Sequence, residues 1–185
     1  MARTGSEFPS LTTSRLRLRA PVADDAAAFG AILAVPEVTR HSNWPDAAKK
    51  GQVERFMRWM TELHSRGSGC AWMIEDIISG SMIGAIRFNR FDRAWRCGEI
   101  GYESHPDFWG RGLMTEALRA IVPCGHQRFR LNRIEAWTLP GNGASDRVLE
   151  KAGFRYEGTL RERAWFKGAF HDFRMFGRVA ADPVE

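Results

Sequence analysis

The chain has 185 residues, a length that fits one domain with a core of ordinary size. Its composition, 44% hydrophobic and 26% charged, is typical of a globular protein, and no stretch approaches the roughly 18 apolar residues that a membrane span needs. The net charge of +5 favours an anionic ligand, a nucleic acid or an anionic surface as partner, unless it only reflects a surface rich in arginine.

The three cysteines, Cys70, Cys97 and Cys124, are widely spaced and odd in number. No CxxC motif or cysteine–histidine pairing indicates a metal site, and the scattered set does not favour a disulfide framework. A reducing compartment is then the expectation. Residues 1–10 also lack an apolar run of signal-peptide length. We therefore predict a cytoplasmic protein without a bound metal.

The first part of the chain predicts one strand and two helices. Met1–Ser10 is expected to be a flexible arm, as termini often are. In Leu11–Arg19, apolar residues alternate with arginines, which indicates a strand with one wet face. Ala26–Leu33 predicts a short helix, and residues 35–46 form an irregular segment broken by two prolines. Ala47–Ser65 carries an apolar stripe at helical spacing and predicts a longer helix.

The remainder predicts six strands and two helices. Cys70–Ile78 and Ser81–Phe91 are expected to form a hairpin, followed by a strand at Gly98–Ser104. Met114–Phe129 predicts a helix that Pro123 is expected to kink or shorten. The next strand, a turn, a short helix and two final strands are predicted at Arg133–Leu139, Pro140–Gly143, Ala144–Ala152, Phe154–Arg163 and Phe170–Val179.

The order of these elements predicts a single mixed α/β domain over residues 11–180, followed by a short tail at 181–185. The unit Gly98–Leu139 is a strand, a helix and a strand, so its two strands are expected to be parallel.

The stretch Glu99–Ile121 combines a strand, a loop containing Gly110 and Gly112, and a helix start. A helix start has unpaired N–H groups and partial positive charge, and glycines let the backbone approach a ligand closely. The stretch therefore predicts a phosphate site. A loop with only a structural role is the other interpretation of this spacing. A dinucleotide fold would need a third glycine where Thr115 stands, and a Walker-type loop would need Gly-Lys-Ser/Thr.

Four stretches taken in order are more specific than the loop alone. They are Leu11–Arg19 with Asp25, Glu99–Tyr102, Pro106–Ala117 and Asn142–Phe154. Together they resemble the GNAT superfamily of acetyl-CoA-dependent N-acetyltransferases, and more narrowly its RimJ/RimL-like branch, which acetylates protein N-terminal amines. The resemblance covers about Leu11 to Val179. It implies one GNAT-like domain whose largely antiparallel sheet has a central parallel strand pair flanked by helices.

The resemblance implies that acetyl-CoA binds at the glycine loop and at the head of helix 144–152, with coenzyme A as product. Backbone N–H groups of the loop would hold the pyrophosphate, and Asn142 would touch the pantetheine arm. Asp107 departs from the family pattern, in which Gln or Arg is usual, so no side-chain help is expected there. The cofactor-binding residues so implied are Ser104, His105, Trp109, Gly110, Arg111, Gly112, Leu113, Met114, Thr115, Asn142 and Ser145.

Acetyl transfer needs a base for the amine and a proton for the departing thiolate. Glu103 and Glu99 share one face of their strand and are the first candidates for the base, although a structural pairing of either is the plainer interpretation. Glu162 and His105 are further candidates. The resemblance implies that Ser145 lies near the cofactor sulfur and protonates it, whereas its position alone also suits helix capping, as does that of Asn142.

The acceptor stays open. The family branch favours the N-terminal amine of a protein such as a ribosomal protein, acetylated by direct attack in a ternary complex. The alternatives are a small amine (an amino acid, polyamine or antibiotic) and a non-catalytic acyl-CoA-binding module.

Nothing in the chain groups a histidine and a carboxylate with a cysteine, so no covalent intermediate is predicted. No membrane or direct nucleic-acid binding is predicted, and a homodimer is compatible with the sequence. Four tryptophans, some of which could wall an acceptor groove, are expected in the core: Trp44, Trp72, Trp95 and Trp165.

Overall fold

An eight-stranded sheet runs through the molecule in the computed structural model, which describes residues 7–183. The strands are β1 (Leu11–Thr12), β2 (Leu16–Arg19), β3 (Cys70–Asp76), β4 (Met82–Asp92), β5 (Cys97–Ser104), β6 (Arg133–Thr138), β7 (Arg155–Phe166) and β8 (Ala169–Val179). The helices are α1 (Asp25–Leu33), α2 (Pro36–Thr39), α3 (Gln52–Arg66), α4 (Leu113–Gln127) and α5 (Gly143–Lys151), with a short 3₁₀ turn at Pro106–Phe108.

The strand order in the sheet is β1-β2-β3-β4-β5-β6-β8-β7. All neighbours are antiparallel except β5 and β6, which are parallel and are joined through α4. This arrangement confirms the predicted single α/β domain with a central parallel pair.

The parallel pair is incomplete, and this feature positions the site. Its register joins Cys97–Glu99 to Arg133–Glu135, whereas β5 continues to Ser104 and β6 to Thr138. Beyond these three residue pairs the two strands part. A gap therefore opens at the C-terminal ends of β5 and β6, where the glycine loop and the start of α5 follow.

Alternating side chains of the sheet form two apolar clusters. On one face, Trp72, Ile86 and Ile100 pack with residues of α4 and α5. On the other face, Met73 and Ala85 pack with α1 and α3. The helices of the second cluster lie over β3 and β4, and the side chains of β5 on that face are only half-buried.

Two predicted elements in the first part of the chain have different bounds. The strand expected at Leu11–Arg19 is interrupted between Thr12 and Leu16 because its turn residues bond to α4 instead of continuing a ladder. The helix expected from Ala47 begins at Gln52, because Gly51 adopts a left-handed φ of 72° that a helix cannot continue through. The segment predicted to be irregular contains the short helix α2.

Pro123 lies inside α4, and the helix continues beyond it to Gln127. The proline is exposed, so its ring meets solvent on the outer side of the helix. The helix loses one backbone hydrogen bond there, yet its buried residues on both sides of the proline, from Leu113 to Gly125, hold it against the sheet.

The end of the predicted N-terminal arm contacts the domain. The indole nitrogen of Trp72 donates to the carbonyl of Pro9 at 2.7 Å, and Phe8 packs edge-on against Trp72. Residues 1–6 of that arm lie outside the described residues. Over residues 7–183, no helix combines the length and apolar character required to cross a membrane.

Candidate active site

A pocket of about 520 Å³ lies where β5 and β6 part. The end of β5 contributes Tyr102, Glu103 and Ser104 to its wall, and the turn after β6 contributes Gly141 and Asn142. The glycine loop, with the 3₁₀ turn before it and the first turn of α4 after it, contributes Phe108, Trp109, Gly110, Gly112, Leu113, Met114 and Thr115. Helix α5 contributes Ala144, Ser145, Arg147, Val148 and Lys151. The segment that follows α1 contributes Glu37, Val38, Arg40, His41 and Ser42.

The glycine loop has the geometry that close approach of a ligand requires. Gly110 and Gly112 have left-handed φ angles of 72° and 75°, which other residues adopt at a cost. A Cβ added at Gly110 would meet nothing within 4 Å, and one at Gly112 would meet only the Arg15 guanidinium, at 3.7 Å. The space in front of this backbone is therefore open. The first hydrogen bond within α4 runs from Glu116 N to Gly112 O, so the N–H groups before Glu116 can bind an anion.

Most of the predicted cofactor-binding residues line this pocket, and two do not. His105 instead turns its Nδ1 towards the backbone N–H of Asp107 at 3.3 Å and caps the 3₁₀ turn. The Arg111 guanidinium lies over the Phe108 ring, 5.3 Å from its centroid. Trp109 is held at the pocket wall because its indole N–H donates to the Ser104 carbonyl at 2.9 Å.

The head of α5 brings a hydroxyl pair into the pocket. Asn142 caps the helix, its Oδ1 accepting from Ser145 N at 3.3 Å. The Ser145 hydroxyl lies 2.6 Å from the hydroxyl of Tyr102, across the gap between β5 and α5. Burial raises the pKa of Tyr102, and the nearby Asp146 adds to this effect although the Ser145 hydrogen bond opposes it. Tyr102 therefore stays protonated and can donate to Ser145, which leaves the Ser145 proton free to point at a ligand.

Sequence reasoning did not single out Tyr102. Strand alternation placed it on the same face as Ile100, which is in the core, and this placement is correct. Its contact with Ser145 could not be predicted because it is long-range: the core face of β5 ends beneath the first turn of α5, and Ser145 lies 43 residues further along the chain.

The predicted bases lie in different environments. Glu103 lines the pocket, but both of its oxygens accept from Arg87, at 2.5 and 2.8 Å, in a largely buried pair. Glu99 does not line the pocket and bonds to Asn89 and Arg90 at 3.3 and 3.2 Å. Arg87 therefore occupies both oxygens of Glu103, and each of these two predicted bases already has an arginine partner.

Glu162 also lies outside the pocket wall. It is exposed, sits at an irregularity of β7 with a left-handed φ of 47°, and donates its backbone N–H to Asp172 at 2.7 Å.

The segment after α1 supplies a wall that the sequence did not predict. It is tied to the β7–β8 turn by Lys167, whose ammonium donates to the Thr39 carbonyl at 2.9 Å and pairs with Asp46 at 2.7 Å. His41 of this wall lies beside Gly141: a Cβ placed on Gly141 would be 3.9 Å from Cε1 of the His41 ring. Burial, and then the charges of Arg40 and Lys167, lower the pKa of His41 below its usual 6.5. A neutral imidazole therefore faces the pocket at pH 7.

The cysteines are poorly suited to nucleophilic attack. Burial raises the pKa of Cys97 and of Cys124 to about 11, so both stay thiols at neutral pH. Of the four tryptophans expected in the core, Trp72 is buried and Trp44 packs on Phe56, whereas Trp95 and Trp165 are 82% and 62% exposed.

Fold and site together define an α/β domain with a pocket, between two parted strands, whose backbone is suited to a phosphate-bearing ligand. Residues 15–155 match the family described as Acetyltransferase (GNAT) domain. Since this match spans most of the chain, the protein belongs to the GNAT acetyltransferase family, and its acetyl donor is acetyl-CoA. The open backbone at Gly110 and Gly112 and the free N–H groups of α4 suit the pyrophosphate of that donor.

Individual relatives agree with this assignment. The chain is 33% identical over 172 residues to the uncharacterized N-acetyltransferase YoaA of Bacillus subtilis (strain 168), covering 93% of this chain and 97% of that protein. It is 29% identical over 140 residues to the ribosomal-protein-serine acetyltransferase of Escherichia coli (strain K12), covering 74% and 76%. The structure of RimL, a ribosomal-protein acetyltransferase in complex with coenzyme A, superposes with a TM-score of 0.82 at 23% identity, covering 91% of this chain and 96% of that one.

Proposed function

We propose that this enzyme acetylates the N-terminal amine of a protein, and that ribosomal proteins are the class to test first. The relatives named above support the proposal, since one acts on a ribosomal-protein serine by its name and covers three quarters of both chains. The alternative acceptor, a small amine, has no comparable support.

The face of the sheet that adjoins the pocket suits a peptide. Glu99, Glu103 and Trp137 lie on this face by strand alternation, and none of the three is fully buried. Trp137 stacks on Phe173 with ring centroids 4.0 Å apart. An aromatic surface beside the pocket would pack against the first side chains of a peptide. Because Glu103 and Glu99 are paired with Arg87 and Arg90, the aromatic pair is what this face offers to a peptide.

Ser145 and Tyr102 carry the proposed leaving-group chemistry. Acetyl-CoA carries the acetyl group as a thioester, and the thiolate of coenzyme A is the leaving group. As the amine nitrogen attacks the acetyl carbon and the carbon–sulfur bond breaks, the Ser145 hydroxyl gives its proton to sulfur. Tyr102 keeps its proton and donates the 2.6 Å hydrogen bond that stabilises the Ser145 oxygen, and a proton from water then restores the Ser145 hydroxyl. Asn142 holds the helix start that carries Ser145.

We assign the base to His41, which would act as the neutral amine attacks the acetyl carbon. The imidazole is neutral at pH 7 and reaches the pocket, whereas Arg87 occupies both oxygens of Glu103. The amine proton would pass to the imidazole nitrogen, directly or through water.

This assignment predicts the pH dependence of kcat/KM. Two groups, His41 and an acceptor amine with a pKa of about 7.7–8.0, must lose protons. The logarithm of kcat/KM should rise with slope two below the His41 pKa, which lies under 6.5, and with slope one from there to the amine pKa. His41→Gln should leave slope one throughout. His64→Gln is the matched control, because burial also lowers the pKa of His64 but its ring packs on Phe8 outside the pocket wall. A profile unchanged by His41→Gln would exclude His41 as the base.

The proposed acceptor class is tested by turnover of acetyl-CoA with a panel of peptides that differ in their first residue, with small amines alongside. We expect acetylation at the α-amine, strong dependence on the first residue, and none for a peptide whose N-terminus is blocked but which contains lysine. Faster turnover of an amino acid or a polyamine than of every peptide would overturn the proposal. The cytoplasmic location stays a prediction.

A further inference from the structure

The N-terminal motif Leu11–Arg19 reaches the cofactor loop through a single acidic side chain. Glu116, in the first turn of α4, accepts from the Thr13 hydroxyl at 2.6 Å and from the Ser14 hydroxyl at 3.1 Å. It also accepts from Arg15, through the backbone N–H at 3.1 Å and through Nε and Nη2 at 2.6 Å each. Two sequence motifs about a hundred residues apart therefore meet at one carboxylate.

The same arginine holds the loop itself. Its Nη1 donates to the carbonyl oxygen of Arg111 at 3.0 Å, between the two glycines with left-handed φ. Because the peptide unit is planar and trans, fixing the Arg111 carbonyl also fixes the N–H of Gly112, which points the opposite way, away from Arg15. The loop between Gly110 and Gly112 would otherwise be free to reorient, since glycines restrict the backbone least.

Glu116 is charged at neutral pH. Burial by itself would raise its pKa, but the hydrogen bonds from Thr13, Arg15 and Ser14 outweigh burial and lower it. The carboxylate therefore stays available to hold the Arg15 guanidinium in one orientation.

We propose that Arg15 and Glu116 form a clamp that positions the glycine loop for the pyrophosphate of coenzyme A. Arg15 is a positioning residue in this view: it acts through the Arg111 carbonyl and does not itself bind the phosphates. The inference rests on the proposed binding of the pyrophosphate at Gly110–Thr115, and it explains why the N-terminal motif and the loop motif occur in one chain.

A direct contact between Arg15 and the phosphates is the competing interpretation, and the two differ in what Glu116 does. If Arg15 bound phosphate directly, removing the charge of Glu116 would free the cation and would leave affinity unchanged or raise it. If the clamp operates, losing either partner releases the same loop, so both single changes weaken binding and the double change adds little.

The experiment measures dissociation constants of coenzyme A, dephospho-coenzyme A and pantetheine for Arg15→Gln, Glu116→Gln and the double variant. Releasing the loop should weaken both pyrophosphate-bearing ligands about tenfold in each single variant, and about tenfold rather than a hundredfold in the double variant. Pantetheine, which has no pyrophosphate, should change less than about twofold. Arg17→Gln is the matched control, because Arg17 is exposed and its nearest carboxylate, on Glu75, lies 3.7 Å away.

Each other outcome has a distinct meaning. Weaker binding in Arg15→Gln but not in Glu116→Gln would overturn the clamp in favour of direct contact. Equal losses for pantetheine would show a general structural role and would also overturn it. Wild-type protein that binds pantetheine as tightly as coenzyme A would instead refute the proposed pyrophosphate site. Thr13→Ala, which removes only one hydrogen bond to Glu116, should give a smaller loss of the same kind if Glu116→Gln folds poorly.

Discussion

Replacing Ser145 by alanine should slow acetyl transfer about a hundredfold while acetyl-CoA affinity stays nearly constant, because the change removes the proton donor of the leaving thiolate. The helix should survive, since the cap is formed by the Asn142 side chain and the Ser145 backbone N–H, which alanine retains. Single-turnover kinetics at saturating acetyl-CoA isolate the chemical step from binding.

Tyr102→Phe should reproduce part of this loss, about tenfold, because Ser145 keeps its hydroxyl but loses the hydrogen bond that stabilises its oxygen as the proton leaves. The double variant should be no slower than Ser145→Ala, since both residues act on one proton. Tyr156→Phe is the control: its exposed hydroxyl bonds to Thr159 at 2.8 Å, outside the pocket wall. Unaltered turnover in Ser145→Ala would remove both residues from the chemistry.

Gly112→Ala should weaken acetyl-CoA binding about a hundredfold, because a methyl group would stand where the backbone must approach the pyrophosphate. In the free protein the added Cβ meets only the Arg15 guanidinium at 3.7 Å, so the substitution should not prevent folding. The left-handed φ of 75° adds a conformational cost of about 1–2 kcal/mol to the free energy of folding. Calorimetric titration with coenzyme A measures the affinity.

Gly80→Ala separates the two expected effects of Gly112→Ala, which are weaker binding of acetyl-CoA and lower stability of the fold. Gly80 has a φ of 68°, with open space around its Cβ position, and lies in the turn between β3 and β4. Both variants should lose similar stability in denaturant, but only Gly112→Ala should lose affinity. Equal affinities in the two variants would mean that the loop backbone does not approach the ligand.

Local sequence patterns were sufficient for most elements of the fold. The parallel pair of β5 and β6 follows from a strand, a helix and a strand in succession, and the glycines mark where α4 begins. One error arose where a local signal met a tertiary contact: Thr13–Arg15 alternate like a strand but bond to Glu116.

The site needed contacts that no local pattern contains. Strand alternation placed Glu103 on the correct face but could not show that Arg87, 16 residues earlier, occupies both of its oxygens. Nor could it show that Tyr102 meets Ser145, or that the segment carrying His41 closes the pocket through Lys167. Such pairings depend on strand register and on how far two strands stay together.

The sequence by itself determined the class of enzyme and its acetyl donor, because four motifs in order resemble the GNAT acetyltransferases. It also predicted the loop for the phosphates, because glycines before a helix start leave backbone N–H groups open to an anion. The tertiary structure decided which hydroxyls, carboxylates and imidazole share the pocket. The physical reason lies in the sheet: β5 and β6 part after Glu99 and Glu135, and that gap determines which distant side chains can meet across it.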